Sequence, residues 1–249
     1  VILATGCASY PSTGSVGDGY RMAREVGHTI EPIRPSLVPL EVAEPWVAPL
    51  AGLTLRNVDL YALSPEGKTL RYERGEMLFT HFGVSGPLVL SASRHLVGCT
   101  GCRLRIDLKP ALTEEVLDAR VQRDFQDAIR RQLGNALNKL LPQALVPVVL
   151  QVAGLPEDLP VHQVTRKQRH ALVRVLKGLM LTVTRPRPLA EAIVTAGGVS
   201  TREIDARTMA SRVVDRLYLT GEVIDVDGYT GGYNLQVAFT TGRIAGESV

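Results

Sequence analysis

The stretch GEVIDVDGYTGGYNLQVAFTTGRIAG, residues 221–246, sets Gly221, Gly228, Gly231 and Gly232 among Glu222, Asp225 and Asp227, then passes at once into an apolar-periodic segment. Glycine has no Cβ, so a backbone built from it can approach a ligand closely. Leu217–Thr220 read as a short buried strand, and Glu222 stands just beyond its carboxyl end, where open α/β sheets bind their ligands. A carboxylate there accepts hydrogen bonds from sugar-like hydroxyls. Asn234, Leu235, Val237, Ala238, Ile244 and Ala245 then recur at helical spacing. The first turn of that helix, near Gly231, Gly232, Tyr233 and Asn234, leaves backbone N–H groups unpaired at the positive end of the helix dipole.

Such an end favours developing negative charge. A flavin that accepts electrons gains charge around N1 and the C2 carbonyl, so this turn has the chemistry to favour flavin reduction. A glycine pair alone is a weak signal, but two further turns of the same kind accompany it. VILATGCASYPSTGSVGDGY, residues 1–20, ends a strand at Ala4-Thr5-Gly6 and runs through a glycine- and serine-rich loop into a helix. TAGGVSTREIDARTMASR, residues 195–212, is a small-residue turn ahead of the 217–220 strand.

The elements that must position these turns fall into blocks. Residues 1–30 read as strand, loop and helix; 31–110 as short alternating runs of a mostly antiparallel, barrel-like β subdomain; 111–178 as a helical insert. A return strand over 179–188 leads back into the strand-and-turn texture of 189–249. SPEGK at 64–68 is a hairpin turn, with Leu53, Leu55, Val58 and Leu60 as a candidate buried face. Thr113 is an N-cap for a helix carrying Glu114 and Glu115 in its first turn and Val116, Leu117, Val121, Phe125 and Ile129 on an apolar face; further helix is expected at 135–153 and 167–178. The whole is an α/β unit in two pieces, split by a β-rich and helical insertion.

The motifs ATGCASYPSTGSVGDGY, GEMLFTHFGVSGPLVLSAS, TAGGVSTREIDARTMASR and LTGEVIDVDGYTGGYNLQVAFTTGRIAG run from one end of the chain to the other. Together they resemble the HI0933-like (YhiN-type or BaiN-like) FAD-dependent NAD(P)/FAD oxidoreductases, the aminoacetone-oxidase-like flavoproteins. The resemblance implies part of a Rossmann-like FAD domain of the two-dinucleotide-binding type, interrupted by a β-barrel-like subdomain and a helical insert. It implies FAD as cofactor, with Thr5 and Gly6 in a turn passing it and Gly221 and Glu222 at its ribityl or pyrophosphate region. Asp227, Gly228, Gly232, Tyr233, Asn234 and Leu235 would approach the isoalloxazine, largely through backbone. Hydride exchange with a small organic substrate follows, with NAD(P)H or oxygen as possible second partner. Family members open with a GxGxxG unit that this chain lacks; with its start on the strand-like VILATG and no Met at position 1, an N-terminal segment is expected to be missing, and FAD binding is expected to need it. Cys7 stands where the family usually has glycine and is expected to pack quietly. No catalytic acid or base is assigned, with Tyr10, His81 and Tyr233 as candidates only.

Other readings compete. CTGC at 99–102 could be a redox pair or half a zinc knuckle, yet it precedes a strand-like run and has no second pair, so a plain turn is expected and no metal site. Ser85 lies outside G-x-S-x-G and has no evident triad, which argues against a hydrolase. TRKQRH at 165–170 and TRPRP at 184–188 could form a nucleic-acid- or partner-binding surface, but Glu114, Glu115, Asp118, Asp124 and Asp127 offset that charge, so nucleic acid is not expected as a partner. A FAD-dependent RNA-modifying enzyme is a further alternative, and the β-rich insert and GEMLFTHFGVSGP argue against it. The 249 residues, 45% hydrophobic and 21% charged with net charge +3, are ordinary globular composition. No apolar run approaches the roughly 18 residues of a membrane span, and three cysteines favour a reducing, cytoplasmic setting.

Overall fold

The computed structural model describes residues 1–249. In chain order the regular elements are β1 (Ile2–Leu3), α1 (Asp18–Glu25), β2 (Ile30–Ser36), β3 (Leu40–Val42), β4 (Thr54–Leu63), β5 (Thr69–Thr80), β6 (Gly83–Ser85), α2 (Pro87–Ser93) and β7 (Arg103–Asp107). There follow α3 (Glu114–Asp127), α4 (Leu133–Ala136), α5 (Val146–Ala153), α6 (Arg166–Lys177), β8 (Leu179–Pro186), β9 (Val194–Val199), β10 (Tyr218–Leu219) and α7 (Tyr233–Ser248). The chain is thus mixed α/β with an inserted barrel and helices, the class expected from its sequence. No helix is long and apolar enough to cross a membrane.

The elements form two compact units. One unit is Val1–Leu40, Val89–Gly98 and Arg185–Val249; the other is Glu41–Leu88 and Cys99–Thr184. Composition places the changes at 30 and 188 and cannot show that the chain returns to the first unit over 89–98, because that return depends on tertiary contacts.

In the first unit β1 pairs with β10 in parallel, Ile2 opposite Tyr218 and Leu3 opposite Leu219, so the two ends of the sequence lie side by side. Tyr20, Ala23, Val199, Leu219, Val223, Ile224 and Ala245 pack into the core beneath them. The second sheet of this unit pairs β2 with β9 antiparallel and contains a bulge. Glu31 faces Gly198 and Arg34 faces Ala196, leaving two residues opposite Gly197 alone. The bulge brings the Pro32 carbonyl against Gly197, whose φ is +90°.

The second unit is a closed six-stranded barrel in the order β3-β6-β5-β4-β7-β8. Alternation along its strands turns Leu55, Met77, Phe79, Leu104, Ile106, Leu179 and Leu181 into the buried interior, and SPEGK is the β4–β5 connection. Thr113 caps α3 by accepting from the Val116 N–H, and Thr165 with Gln168 forms a reciprocal capping box at α6. Leu117, Val121 and Phe125 of α3 are buried, as are Leu172, Val173 and Leu176 of α6. One expectation is corrected here. Cys99 and Cys102 are joined in a disulfide, so CTGC is a bridged turn rather than a plain one. Two residues between the cysteines permit that closure, and it ties only a local loop.

Gly197→Ala puts a methyl group onto the Pro32 carbonyl and holds a non-glycine residue at positive φ. We expect a loss of about 2 kcal/mol or more, read as a fall in the denaturation midpoint of the purified chain.

Candidate functional site

The carboxyl ends of β1 and β10 both open into glycine turns, and these turns bound a cavity of about 760 Å³ within the first unit. Gly6 contributes from the chain's N-terminal side; Gly221, Glu222, Gly232, Asn234 and Leu235 contribute from its C-terminal side. Leu37, Ile193, Leu235 and Ala238 make part of its wall apolar. Gly232 precedes α7 in left-handed backbone at φ +89° and supplies no side-chain cap, so the first N–H groups of this 16-residue helix are left for other partners. A Cβ at Gly232 would meet nothing within 4 Å and so would stand in open space at the helix entry.

Hydrogen bonds fix the turns. Asn234 accepts from the Gly228 N–H at 2.6 Å and donates to the Gly228 carbonyl at 3.1 Å, closing the 228–234 loop back on the helix. Thr241 accepts from the Gly221 N–H at 3.0 Å while donating to the Val237 carbonyl at 2.7 Å, which ties the β10 turn to α7. Tyr20 donates to the Glu222 carbonyl at 3.2 Å, and burial pushes its phenol well above the usual range, so it stays a neutral donor. Asp225 accepts from the Gly197 N–H at 3.1 Å. Its carboxyl is raised, first by burial and then by Glu31 and Asp227, despite that hydrogen bond.

The other expected residues serve different places. Asp227 does not line the cavity. It pairs with Arg94 at 2.7 Å and accepts from Ser36 at 2.6 Å, and so anchors the loop to the end of β2 and to the residue that follows α2. Thr5 turns its side chain over Gly19, where any Cβ would collide with it. Gly228 is held by Asn234, and Tyr233 is 62% exposed on the first turn of α7. Tyr10 is 48% exposed in the loop after β1, and His81 is exposed on the β5–β6 turn; neither lines the cavity. Cys7 is buried with Sγ 3.0 Å from the Ser9 hydroxyl.

Sequence reasoning passes over Tyr229. Its ring lies on the cavity wall and on a second hollow of about 400 Å³ lined by Arg34, Arg94 and His95. The Arg94 guanidinium lies 4.6 Å from the ring centroid and the Tyr229 hydroxyl 3.1 Å from His95 Nε2. The available signal was its place between Gly228 and the Gly231–Gly232 pair of the turn.

A constellation elsewhere in the first unit has the outline of a nucleophilic triad. His28 is fully buried, with Glu203 2.9 Å from Nδ1 and the Ser211 hydroxyl 2.8 Å from Nε2. Its chemistry is otherwise. Ser211 Oγ already accepts from the Val213 N–H at 3.0 Å and the Val214 N–H at 2.8 Å, so its lone pairs are engaged in holding a turn. Glu203 likewise accepts from the Thr29 N–H at 2.9 Å. Hydrogen bonds from Thr29, then from His28, hold the Glu203 carboxyl below its usual range.

Comparison with known proteins places this arrangement. Residues 34–194 match the family described as HI0933-like protein barrel and H2TH domain. The chain belongs to the HI0933-like family. Among relatives, this HI0933-like chain is 34% identical over 253 residues to the 3-dehydro-bile acid delta(4,6)-reductase of Clostridium scindens, covering 100% of the chain and 61% of the relative. It is also 34% identical over 244 residues to the ribosomal RNA dihydrouridine synthase of Escherichia coli, covering 97% of the chain and 58% of the relative. The Haemophilus influenzae protein of that name is similar at 34% over 245 residues. The chain therefore spans about three-fifths of the length of these curated relatives. These matches also correct one argument from sequence. The β-rich insert does not separate the chain from RNA-modifying enzymes, because the match to the synthases extends over nearly all of it.

Two outcomes follow. Asn234→Ala leaves both polar groups of the Gly228 peptide without their side-chain partner and should cost about 1–3 kcal/mol, read by thermal melting. The Glu203 carboxyl is depressed in the folded state, so its stabilisation is full above the unfolded value near pH 4.5 and is lost as pH falls through the folded value. Glu203→Gln should therefore flatten the acid limb of a stability–pH profile, while Ser211→Ala leaves any background hydrolysis of p-nitrophenyl acetate unchanged.

Proposed function

We propose that the protein is a flavin-dependent oxidoreductase that adds two hydrogens across a carbon–carbon double bond conjugated to a carbonyl, with NAD(P)H as the electron donor. The observation that carries this reading is the shared cavity: Gly6, Gly221 and Gly232, from opposite ends of the sequence, meet on one hollow at the uncapped start of α7. Its residues fit a flavin. Backbone without Cβ at Gly221 and Gly232 leaves room for a flat ring system, since a Cβ there would meet only Ala238 at 3.8 Å or nothing. Apolar side chains make the remaining wall, and Glu222 offers a carboxylate to hydroxyl groups.

A bound flavin would supply hydride transfer. The chain's own part is then to bind and orient. The N–H groups opening α7 favour negative charge that develops beside them, while Leu37, Ile193 and Ala238 keep water from the reacting face. Asn234 and Thr241 hold both turns in place through their hydrogen bonds to Gly228 and Gly221. The names of the relatives support the substrate chemistry. A delta(4,6)-reductase of a 3-dehydro acid and a synthase of dihydrouridine both saturate a double bond conjugated to a carbonyl.

The 249-residue chain should bind FAD weakly by itself, and the protein expressed with its natural flanking sequence should purify yellow, with a flavin absorbance spectrum. Gly232→Val, which fills the helix entry, should weaken flavin binding about tenfold or more in a fluorescence titration. A flanked protein that takes up no flavin, or a Gly232→Val variant with unchanged affinity, would sink the reading. Turnover with NADPH is then followed on a 3-oxo-4-ene steroid acid and on uridine-containing RNA.

A further inference from the structure

In the second unit a bulge in β4 helps to shape a hollow. Arg56 and Asn57 stand opposite Glu76 alone in the β4–β5 ladder, and Asn57 is in left-handed backbone at φ +54°. Residues three apart on a regular strand face opposite sides, but the extra residue lets Leu55 and Val58 share one side, where both are buried. With Leu108 beyond β7 and with Leu141 and Leu145 of the helical insert, they wall a hollow of about 280 Å³.

The charge at this hollow is of one sign. Thr54, Arg56 and Lys109 line it, and no carboxylate does. The neighbouring acids are already engaged. Asp107 pairs with Lys177 and accepts from the Lys109 N–H at 2.8 Å, Asp59 pairs with Arg74, and Glu76 stands 3.8 Å from Arg56. Only the backbone of Lys109 is hydrogen-bonded, so its ammonium has no anionic partner. Burial, and then the Arg120 guanidinium, hold that ammonium below the ordinary lysine range.

A cation partly removed from water, with leucine and valine side chains beside it, is matched by a ligand with an anionic head and an apolar tail. A phosphate head would call for a cluster of donors or a nest of backbone N–H groups, whereas an ammonium, a guanidinium at the rim and one hydroxyl suit a carboxylate. A methylene takes about the room of a water molecule, roughly 30 Å³, so a chain of about eight carbons fills the space. We propose that this hollow binds an unbranched aliphatic carboxylate of about eight carbons, its head on Lys109 and its chain against Leu55, Val58 and Leu145. The site lies wholly within the second unit and does not rest on the flavin reading.

The test uses the protein with its natural flanking sequence and octanoate as probe. Lysines are reductively methylated with formaldehyde and borohydride, and mass spectrometry follows the rate at each residue. Saturating octanoate should slow Lys109 about threefold or more and leave Lys68, exposed on the β4–β5 turn, unchanged. Octanol, with the same chain and no charge, should bind about tenfold more weakly, and so should hexanoate, which buries two fewer methylenes. By calorimetry Lys109→Gln should weaken octanoate about tenfold, Lys109→Arg should recover most of that loss, and Lys68→Gln should change nothing. Should Lys109→Gln fold poorly by circular dichroism, protection of Lys109 in the unaltered protein decides. Absence of protection overturns the proposal, as does equal protection by octanol. Octanoate affinity unchanged in a folded Lys109→Gln protein also overturns it, since binding then lies elsewhere. A 3-oxo-4-ene steroid acid, whose fused rings are too bulky for the space, should leave Lys109 unprotected; protection equal to that by octanoate overturns the assignment to an unbranched chain.

Discussion

Two opposed residue pairs carry the architecture of the cavity. Ile2 with Tyr218 and Leu3 with Leu219 are the whole of the β1–β10 ladder, yet they join positions more than two hundred residues apart in the sequence. Hydrogen bonds from Tyr218 to the Val1 carbonyl and from Thr220 to the Leu3 carbonyl extend it at each end. Because the pairing is parallel, both strands end at the same edge, and the turns that leave them are forced to face the same hollow. Such a short ladder stabilises little by itself. The apolar core around Leu219, Val223 and Ala245 has to hold it, which is why small and branched residues lie beneath glycine turns.

That convergence was legible in the residues. The strand–glycine–helix texture at both ends of the sequence already identifies Gly6, Gly221, Gly232, Asn234 and Leu235, and all five line one cavity. The start of α3 was equally plain, because Thr113 carries capping chemistry that is local, whereas the Thr165 capping box of α6 was passed over. What escaped was the part that is not local. Asp227 looks like a ligand contact because it is an acid in a glycine turn, but Arg94, distant in sequence, claims it. The return of residues 89–98 to the first unit, and the position of Tyr229 between two hollows, likewise depend on contacts that no periodicity encodes.

The His28–Glu203–Ser211 group shows why geometry must be read together with valence. Two short hydrogen bonds through one imidazole reproduce the outline of a catalytic relay, but a serine whose oxygen already accepts two backbone N–H groups is a turn cap. The same accounting works in the other direction on α3 and α6. There two of the acids that balance the charge in the sequence, Asp124 and Asp118, are engaged by Arg120 and Arg169.

The β2–β9 pair acquires a different significance when followed to its open end. Arg187 donates to the Pro39 carbonyl and Ile193 to the Leu37 carbonyl, so the strands that lead out to the barrel and back are zipped almost to the point of departure. The barrel is thus the enlarged loop of a hairpin whose arms are β2 and β9. Within that loop lies α2, whose Ser91 meets Thr230 and whose neighbour Arg94 grips Asp227 on the loop beside the cavity. Removing this short helix would take away both contacts, so the segment between β2 and β9 also holds the glycine loop that borders the cavity.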